Sequence, residues 1–296
     1  MNTLKRKIIF LVCYMNRNLR YGNSTNRVYQ FFVIRTRTLL KKYIKSNSGY
    51  IDNIGEVKIN LKYAGKMNLF TNDYIDKWLF TGADFEPRTV EIIKKYLSEK
   101  GNFLDIGANI GYFSLIASRR IGKEGTVYAF EPTPNTISRL KKNISLNNLS
   151  NIEVIEKAVS NKAGIVIFKT PSAIIRNSGR SSMRDIEEHY ITLNVETVTI
   201  DSMLNSFKKI SLIKMDIEGA EGLALEGMEG LINRDRPVII MELSDKYLKQ
   251  MGYSGELVLA FLRDKKYKVY DVCDLANELM NNKPDVQYDI LCIPMQ

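Results

Sequence analysis

The chain has 296 residues, of which 45% are hydrophobic, and a formal net charge of +10 at pH 7, which allows one large domain or a domain with appendages. Its three scattered cysteines, Cys13, Cys273 and Cys292, exclude a disulfide framework and favour a reducing, cytoplasmic compartment. The single histidine, His189, excludes a multi-histidine metal site.

The basic charge lies at the start of the chain. Residues 1–50 contain eleven Lys or Arg and no Asp or Glu, whereas the remainder has 32 basic and 33 acidic residues. We therefore expect a basic, helical N-terminal appendage over residues 1–50 and a near-neutral catalytic domain over residues 51–296. Residues 8–15 form an apolar run, but it has fewer than half of the roughly 20 apolar residues that a membrane-spanning helix needs.

Residues 27–45 predict an amphipathic helix with basic residues opposite its apolar face. The apolar face is formed by Val28, Phe31, Phe32, Leu39 and Tyr43. Three interpretations stay open for this helix. It packs on the catalytic domain, it attaches to an anionic membrane surface, or it serves nucleic-acid binding or organelle targeting.

After a predicted hairpin over residues 55–70 and a helix over residues 87–97, strands and helices alternate, as is typical of a mostly parallel α/β sheet. The predicted strands lie at residues 103–106, 126–131, 152–155, 212–215, 238–243, 267–272 and 288–293. The predicted helices lie at residues 112–120, 134–147, 220–233 and 256–265. The link before the last strand is too short for a crossover helix, so we expect that strand to run antiparallel.

Residues 160–210 interrupt the alternation and predict a β-rich insertion. Its two β segments are separated by a polar stretch that contains Ser181 and His189. Insertions near a site commonly select the substrate. We therefore expect Ser181 and His189 to lie near the substrate.

The loop that follows the first predicted strand of the sheet is bracketed by Gly107 and Gly111. Glycine allows a sharp bend and a close ligand approach, and the helix start behind the loop favours a carboxylate. A dinucleotide fingerprint needs glycine at the first, third and sixth loop positions. Asn109 and Tyr112 occupy the last two of these positions. The loop therefore fits a pyrophosphate poorly.

S-adenosylmethionine (AdoMet) suits this loop better than NAD, because it carries an ammonium group and no phosphate, and Asp105 lies beside the loop. Glu131 follows Gly111 by 20 residues, at a strand end where an acid accepts both ribose hydroxyls. We expect an AdoMet site formed by Asp105, Gly107, Ala108, Asn109, Gly111, Glu131 and Ala158.

Further acids follow two later predicted strands, and ligands of open α/β sheets bind at such strand ends. We therefore expect Asp216 and Glu242 to share one crevice with Asp105 and Glu131. For Glu221, stabilisation of a helix start is the preferred interpretation. For Asp216 and Glu218 a functional role is preferred, because one cap needs only one acid. For Glu242, function and pairing with Lys or Arg both stay open.

These motifs resemble the FkbM family of AdoMet-dependent O-methyltransferases over about residues 55–243. The resemblance is carried by Asp105-x-Gly107-Ala108-Asn109-x-Gly111, Phe130-Glu131-Pro132, Lys214-x-Asp216-x-Glu218-Gly219-x-Glu221 and, before the core, Glu86-Pro87. It implies a Rossmann-like class I methyltransferase fold with helices on both faces of the sheet. It also implies methyl transfer to a hydroxyl of a sugar, a glycan or a secondary metabolite.

A hydroxyl is a poor nucleophile while protonated, so methyl transfer to it needs a base. Asp216 and Glu218 are the expected catalytic residues, and His189 competes with them because histidine's ordinary pKa suits the task. The expected substrate contacts are Glu86, Ser181, His189, Lys214 and Glu242. No metal ligands are assigned, although a divalent ion on Asp216, Glu218 and Glu242 stays an alternative.

Two other functions stay open. A nucleic-acid methyltransferase would use the basic N terminus for phosphates, and an NAD-dependent Rossmann enzyme fits on fold alone. Methylation of base amines usually shows Asn/Asp-Pro-Pro-aromatic where this chain has Asp216-Ile217-Glu218-Gly219, so nucleic acid is not the expected partner. We expect a small-molecule or glycan acceptor, and peripheral contact of residues 1–50 with an anionic membrane surface.

Overall fold

The computed structural model describes residues 3–19, 27–82, 85–171 and 190–295. Its helices are α1 (Thr3–Leu19), α2 (Arg27–Ser46), α3 (Ser48–Asp52), α4 (Tyr74–Thr81), α5 (Pro87–Tyr96), α6 (Tyr112–Ile121), α7 (Pro134–Leu146), α8 (Glu221–Glu226), α9 (Glu229–Asp235), α10 (Asp245–Gln250) and α11 (Gly255–Asp264). Its strands are β1 (Glu56–Leu61), β2 (Gly65–Phe70), β3 (Phe103–Ile106), β4 (Val127–Phe130), β5 (Ile152–Ile155), β6 (Ala158–Val159), β7 (Gly164–Pro171), β8 (Tyr190–Val198), β9 (Leu212–Met215), β10 (Val238–Leu243), β11 (Tyr267–Asp271), β12 (Asp274–Glu278) and β13 (Tyr288–Pro294).

An eight-stranded sheet in the order β12-β11-β13-β10-β9-β3-β4-β5 forms the centre of the protein. The strands from β10 to β5 in this order run parallel, and β13 runs antiparallel to both β10 and β11. The predicted mostly parallel α/β sheet with an antiparallel last strand is therefore confirmed. The edge strand β12 was not predicted, because its residues are exposed and carry no apolar alternation.

The sheet is buried on both faces, as a parallel sheet requires. Phe103 packs into one hydrophobic core, and its neighbour Leu104 packs into a second core on the opposite face. This alternation follows from the two-residue period of a strand. All four residues of β3 are buried, including Asp105, so the strand delivers a carboxylate to the end of an apolar run.

The predicted single helix over residues 220–233 is wrong, because α8 ends at Glu226 and α9 begins at Glu229. A Cβ atom on Gly227 would lie 2.1 Å from the Ser160 carbonyl oxygen, so glycine permits this close approach. The Asp201 carboxylate also accepts hydrogen bonds from the Gly230 and Leu231 amides at 2.7 and 2.8 Å. These distant contacts start a new helix that local sequence does not reveal.

The N-terminal helices contact the body of the protein. Ile9 and Cys13 of α1 are buried, and Phe10 packs edge-on against Phe80 with 5.2 Å between ring centroids. On α2, Tyr43 packs against the same core whereas Leu39 is exposed. Packing on the domain is thus observed for α1 and for the end of α2. The side chains of Val28, Phe31 and Phe32 lie outside the described part of the structure.

The division of the chain at residue 50 stays a prediction, although α1 and α2 are helical as expected. Within the described ranges, no helix combines the length and the apolar character that crossing a membrane requires. The predicted β-rich insertion forms a separate three-stranded sheet in the order β6-β8-β7. Ser181 and His189 lie outside the described residues.

Candidate active site

A cavity of about 600 Å³ opens where the parallel strands β3, β4, β9 and β10 end. A cavity of this size suits a small-molecule ligand. Its wall brings together most of the predicted site residues: Gly107, Ala108, Asn109, Glu131, Ala158, Glu86, Lys214, Asp216, Glu218 and Glu242. Asp105 and Gly111 lie behind this wall rather than in it.

The loop between Gly107 and Gly111 needs glycine for two reasons: the shape of its backbone and the space that neighbouring residues occupy. Both glycines have left-handed φ angles, 84° and 90°. A Cβ atom on Gly107 would lie 2.1 Å from the Asp216 carbonyl oxygen, and one on Gly111 would lie 2.4 Å from Leu140 Cδ1. The absent side chain at Gly107 therefore lets the loops after β3 and β9 touch, a requirement that the sequence alone does not reveal.

Glu131 is fixed in the cavity wall by backbone amides. The amide of Asn109 donates to Oε2 at 3.1 Å, and the amide of Thr133 donates to Oε1 at 2.9 Å. Glu131 is only 7% exposed, and burial raises its pKa to about 7 although both amides act to lower it. The structure thus places an oriented carboxyl group at the end of β4, where the ribose contact was expected.

The polar atoms of the glycine loop are suited to a ligand such as AdoMet. In the described part of the chain, Oδ1 of Asn109 and Oδ1 of Asp105 are buried without a hydrogen-bond partner. Oδ2 of Asp105 accepts a hydrogen bond from Ser114 Oγ, and burial raises the pKa of Asp105. Because Asn109 lines the cavity, its free oxygen can accept a hydrogen bond from a ligand. These residues fit the predicted donor.

Lys214 is a buried cation that holds Asp216 in place. Its Nζ lies 3.0 Å from Asp216 Oδ2 and 4.8 Å from the centroid of the Phe113 ring. Burial acts to lower the pKa of Lys214, but the carboxylates of Asp216, Glu86 and Asp105 outweigh it and raise that pKa. Lys214 therefore stays charged. The side chain of Asp216 keeps 31% of its surface exposed towards the cavity.

Three further carboxyl groups near this pair have raised pKa values, and two of them, Glu242 and Glu86, favour the protonated form at neutral pH. Burial, and then the charges of Asp216 and Glu218, raise the pKa of Glu242 to about 10. Burial raises the pKa of Glu86 to about 8 although Lys214 acts to lower it, and burial raises that of Asp289 to about 6. A protonated carboxyl group can donate a hydrogen bond to a substrate oxygen.

Asp289 was missed in the sequence because it lies in the closing strand. β13 runs antiparallel to β10, so the start of β13 meets the end of β10, and Asp289 pairs with Glu242. The predicted antiparallel direction of β13 would have placed Asp289 at the same edge of the sheet as Glu242. Gln287, just before the same strand, donates a hydrogen bond from its side-chain amide to Glu242. Pairing of Glu242 with Lys or Arg, one alternative from the sequence, is not seen among the described residues.

Glu221 stabilises the loop after β9. Its Oε1 accepts hydrogen bonds from the amides of Ile217 and Gly219 at 3.1 and 3.2 Å. Glu221 is 1% exposed, and burial raises its pKa to about 7. These bonds match the preferred interpretation of this acid as a stabiliser of the helix start. Glu218 lies in the same loop with a left-handed φ of 55°, a strained value that non-glycine residues rarely adopt.

An aromatic wall formed by Phe85, Tyr112 and Phe113 also lines the cavity, and sequence analysis did not predict it. The ring centroids of Phe85 and Tyr112 lie 5.8 Å apart, and those of Tyr112 and Phe113 lie 5.1 Å apart. Such faces offer apolar contact area to a ring-shaped ligand. Among the described residues, no group of three or more His, Cys, Asp or Glu side chains is arranged to hold a metal ion.

Comparison with known proteins identifies relatives of this chain. The Methyltransferase FkbM domain matches residues 105–269, more than half of the chain. A hexuronic acid methyltransferase, AglP, from Haloferax volcanii is 24% identical over 212 residues, which cover 70% of this chain and 82% of that protein. Methyltransferase 1 from Beauveria bassiana is 26% identical over 144 residues, which cover 43% of this chain and 57% of that protein.

A solved structure of methyltransferase FkbM from Methylobacillus flagellatus aligns with 97% of this chain and 59% of that chain. Its TM-score is 0.42 and its sequence identity is 16%. A putative methyltransferase from Streptococcus mutans, solved with SAH, aligns with 69% of this chain at a TM-score of 0.42 and 9% identity. This chain thus spans little more than half the length of the fungal relative and of the solved FkbM chain.

Proposed function

The chain belongs to the FkbM family of AdoMet-dependent methyltransferases, and we propose that it transfers a methyl group to a hydroxyl of a sugar, a glycan or a secondary metabolite. One observation carries this proposal: the partly exposed carboxylate of Asp216 lies at the cavity, 3.0 Å from a buried cation, on a residue whose backbone carbonyl lies against Gly107 of the glycine loop. A fixed carboxylate in that position is suited to accept a hydroxyl proton.

When AdoMet is bound, it supplies an electrophilic methyl group on a sulfonium. We propose that the loop from Gly107 to Gly111 holds the donor, with Ala108 and Asn109 in the wall and Ala158 on the facing side. Glu131 accepts the ribose hydroxyls, since both of its oxygens are already oriented by amides. Asp105 lies behind the wall, so its contribution is the negative field that favours the ammonium group and the sulfonium.

Asp216 is our preferred base, and Glu218 is the second candidate. Lys214 orients the Asp216 carboxylate through one oxygen, so the other oxygen can accept the proton of an acceptor hydroxyl. Much of the acceleration of an in-line displacement comes from placing the reacting atoms. We propose that Glu86 and Glu242 place the acceptor by donating hydrogen bonds to its oxygens, because their raised pKa values favour the protonated form. The aromatic wall offers a face for its ring.

The acceptor class is supported by the acidic, aromatic lining of the cavity and by the sugar-directed relative. The loop after β9 contains Asp216-Ile217-Glu218-Gly219 and not the Asn/Asp-Pro-Pro-aromatic segment that is usual in base-amine methylation, which argues against nucleic acid. The Asn109 side chain occupies the position where a dinucleotide site needs glycine, so the NAD-dependent alternative is not retained. The described cysteines are all free, which supports a reducing, cytoplasmic setting. Contact of residues 1–50 with an anionic membrane surface is a separate proposal, because it rests on the basic charge of that segment and on its amphipathic helix at residues 27–45, and not on the cavity.

The test is incubation with AdoMet labelled in its methyl group and a panel of neutral sugars, uronic acids, amino sugars and hydroxylated metabolites. We expect label on one acceptor class, stable to mild alkali as a methyl ether is and a methyl ester is not. Asp216→Asn should abolish most of this transfer while AdoMet still binds. Label that enters only RNA, or only an alkali-labile ester, would overturn the proposal.

A further inference from the structure

The two exposed side chains of helix α4 are both aromatic. Tyr74 is 56% exposed, and Trp78, the single tryptophan of the chain, is 41% exposed. Residues four apart lie on the same side of an α-helix, and the two ring centroids are 5.7 Å apart with an angle of 41° between the ring planes. We call these two rings the aromatic pair. Large aromatic rings are enriched at interfaces, so the aromatic pair is a candidate contact surface.

The helix that carries the aromatic pair is firmly attached to the body of the protein. Asp76 of α4 is buried, forms an ion pair with Arg139 of α7, and accepts a hydrogen bond from the Phe70 amide at 2.6 Å. Lys77 of α4 lies 2.5 Å from the carboxylate of Asp52 on α3. A helix held in this way presents its rings in one orientation, so little conformational freedom is lost when a ligand binds to them.

The aromatic pair leads from the cavity onto the protein surface. Tyr74 lines the same cavity as Glu131 and Asp216, and because it is also exposed it lies at the rim. Trp78 lies outside the cavity wall and follows Tyr74 by about one helical turn, or about 5.4 Å along the helix axis. This rise is close to the length of one sugar unit. Two neighbouring units of a chain that leaves the cavity can therefore each meet one ring.

We propose that the aromatic pair binds a glycan chain whose end unit enters the cavity and whose next two units stack on Tyr74 and Trp78. This inference rests on the proposed function and narrows the acceptor to a sugar at the end of a chain. A sugar ring has an apolar face of C–H groups and a rim of hydroxyls, so it matches an aromatic face with a polar tip, such as the indole N–H or the phenol hydroxyl. The cavity of about 600 Å³ has the size of a site for one small ligand, so the later units of the chain lie outside it.

A protein, a membrane or a nucleic acid fits the aromatic pair less well than a glycan does. A stable protein interface buries roughly 800 Å² on each partner, whereas the other residues of α4 are buried or half-buried. Membrane surfaces and nucleic-acid strands are bound by cations beside such rings, but Lys77, next to Trp78, is already paired with Asp52. The angle of 41° between the rings suits neighbouring sugar units, which are rotated about their linkage, better than one flat ring system.

The test uses the fluorescence of Trp78, which reports on the aromatic pair alone because the chain has no other tryptophan. The full chain is titrated, without AdoMet, with linear tetrasaccharides of glucose, mannose, N-acetylglucosamine and glucuronic acid, and with the matching monosaccharides. We expect a tetrasaccharide to protect Trp78 from quenching by acrylamide and to bind about tenfold more tightly than its monosaccharide. Tyr74→Ala should weaken this binding about tenfold, whereas the matched control Tyr74→Phe, which keeps the ring, should bind within about threefold of the wild type.

Three results would overturn the glycan site. They are protection of Trp78 by no tetrasaccharide of the panel, wild-type affinity in Tyr74→Ala, and protection by a single-stranded oligonucleotide but by no sugar, which would assign the rings to nucleic acid. Thermal melts show whether Tyr74→Ala is folded, and the wild-type titration tests the site without any variant. Methyl transfer to a sugar without protection of Trp78 would count against this site only. Protection of Trp78 without methyl transfer to any sugar would count against the proposed function only.

Discussion

Two neighbouring loops form the cavity by different means. The glycine loop (residues 107–111) follows β3, and the acidic loop (residues 216–221) follows β9, the strand that pairs with β3. The glycine loop offers backbone, absent side chains and the unpaired buried oxygen of Asn109. The acidic loop offers charge, but much of that charge is already in use: Glu221 holds the loop's own amides, and Lys214 holds Asp216.

The difference shows which motifs can be interpreted without a structure. A glycine with a left-handed φ has few explanations, so the glycine loop points directly to a turn at a ligand. An acid at a strand end has several explanations, and the acidic loop contains at least two of them. Glu221 stabilises structure, whereas Asp216 is available to a substrate. The loops also depend on each other, because Gly107 leaves room for the Asp216 carbonyl.

The different roles of Asp216 and Glu221 in the acidic loop give the largest expected effect. Asp216→Asn should lower turnover by about 10²–10⁴-fold, since general-base catalysis contributes about that much. Glu221→Gln is the matched control, because its acid holds the loop and does not face the substrate. It should lower stability more than turnover. Single-turnover assays and thermal melts on both variants check this. Near-full turnover in both Asp216→Asn and Glu218→Gln would show that the base does not lie in this loop.

Contact between the two loops gives the second effect. Gly107→Ala should lower the free energy of unfolding by about 3 kcal/mol, because a left-handed φ costs about 1–2 kcal/mol and its Cβ collides with backbone. Gly252→Ala separates these causes, since Gly252 has nearly the same φ, 82°, and nothing within 4 Å. It should cost only about 1 kcal/mol. Urea denaturation measures both, and equal losses would show that the loops do not press together.

The ligand-binding role of the glycine-loop side of the cavity gives the third effect. Glu131→Ala should weaken AdoMet binding at least tenfold, or about 1.4 kcal/mol, because the oriented oxygens that receive the ribose are lost. Gly107→Val should weaken binding by a similar factor. Isothermal titration calorimetry checks this, with the exposed Glu278→Ala on β12 as the control. Unchanged affinity in Glu131→Ala would place the donor elsewhere.

The carboxyl groups around the acidic loop give the smallest effect, a pH dependence of stability. The folded-state pKa of Glu242 is raised from 4.5 to about 10. Between these values the folded protein holds a proton that the unfolded chain has released. The free energy of unfolding should therefore fall as the pH rises. Glu242→Gln mimics the protonated form and should make the fall between pH 6 and pH 9 smaller than it is in the wild type. Chemical denaturation at both pH values checks it, and parallel pH profiles would contradict it.

Much of the sheet could be predicted because short apolar runs in the sequence indicate its strands. β5, β9 and β10 are short apolar runs whose ends match the predicted ranges. α10 and β12 were missed because they are short and mostly polar. Their packing determines their structure, and their sequences show no hydrophobic periodicity. The break between α8 and α9 depends on Ser160 and Asp201, which lie far away in the sequence.

The site could be predicted where a residue follows a strand that runs towards it. Glu131, Asp216 and Glu242 meet at one cavity because their strands are parallel and end at one edge. Asp289 lies opposite Glu242 at the start of an antiparallel strand, so the rule for parallel strand ends did not identify it.

The most direct test of the central claim is a crystal structure with S-adenosylhomocysteine, the demethylated donor. We predict that its ribose contacts Glu131 and that its amino-acid end lies at the loop between Gly107 and Gly111, with the sulfur facing Asp216. An adenosyl group bound anywhere outside this cavity would contradict the assignment of both loops.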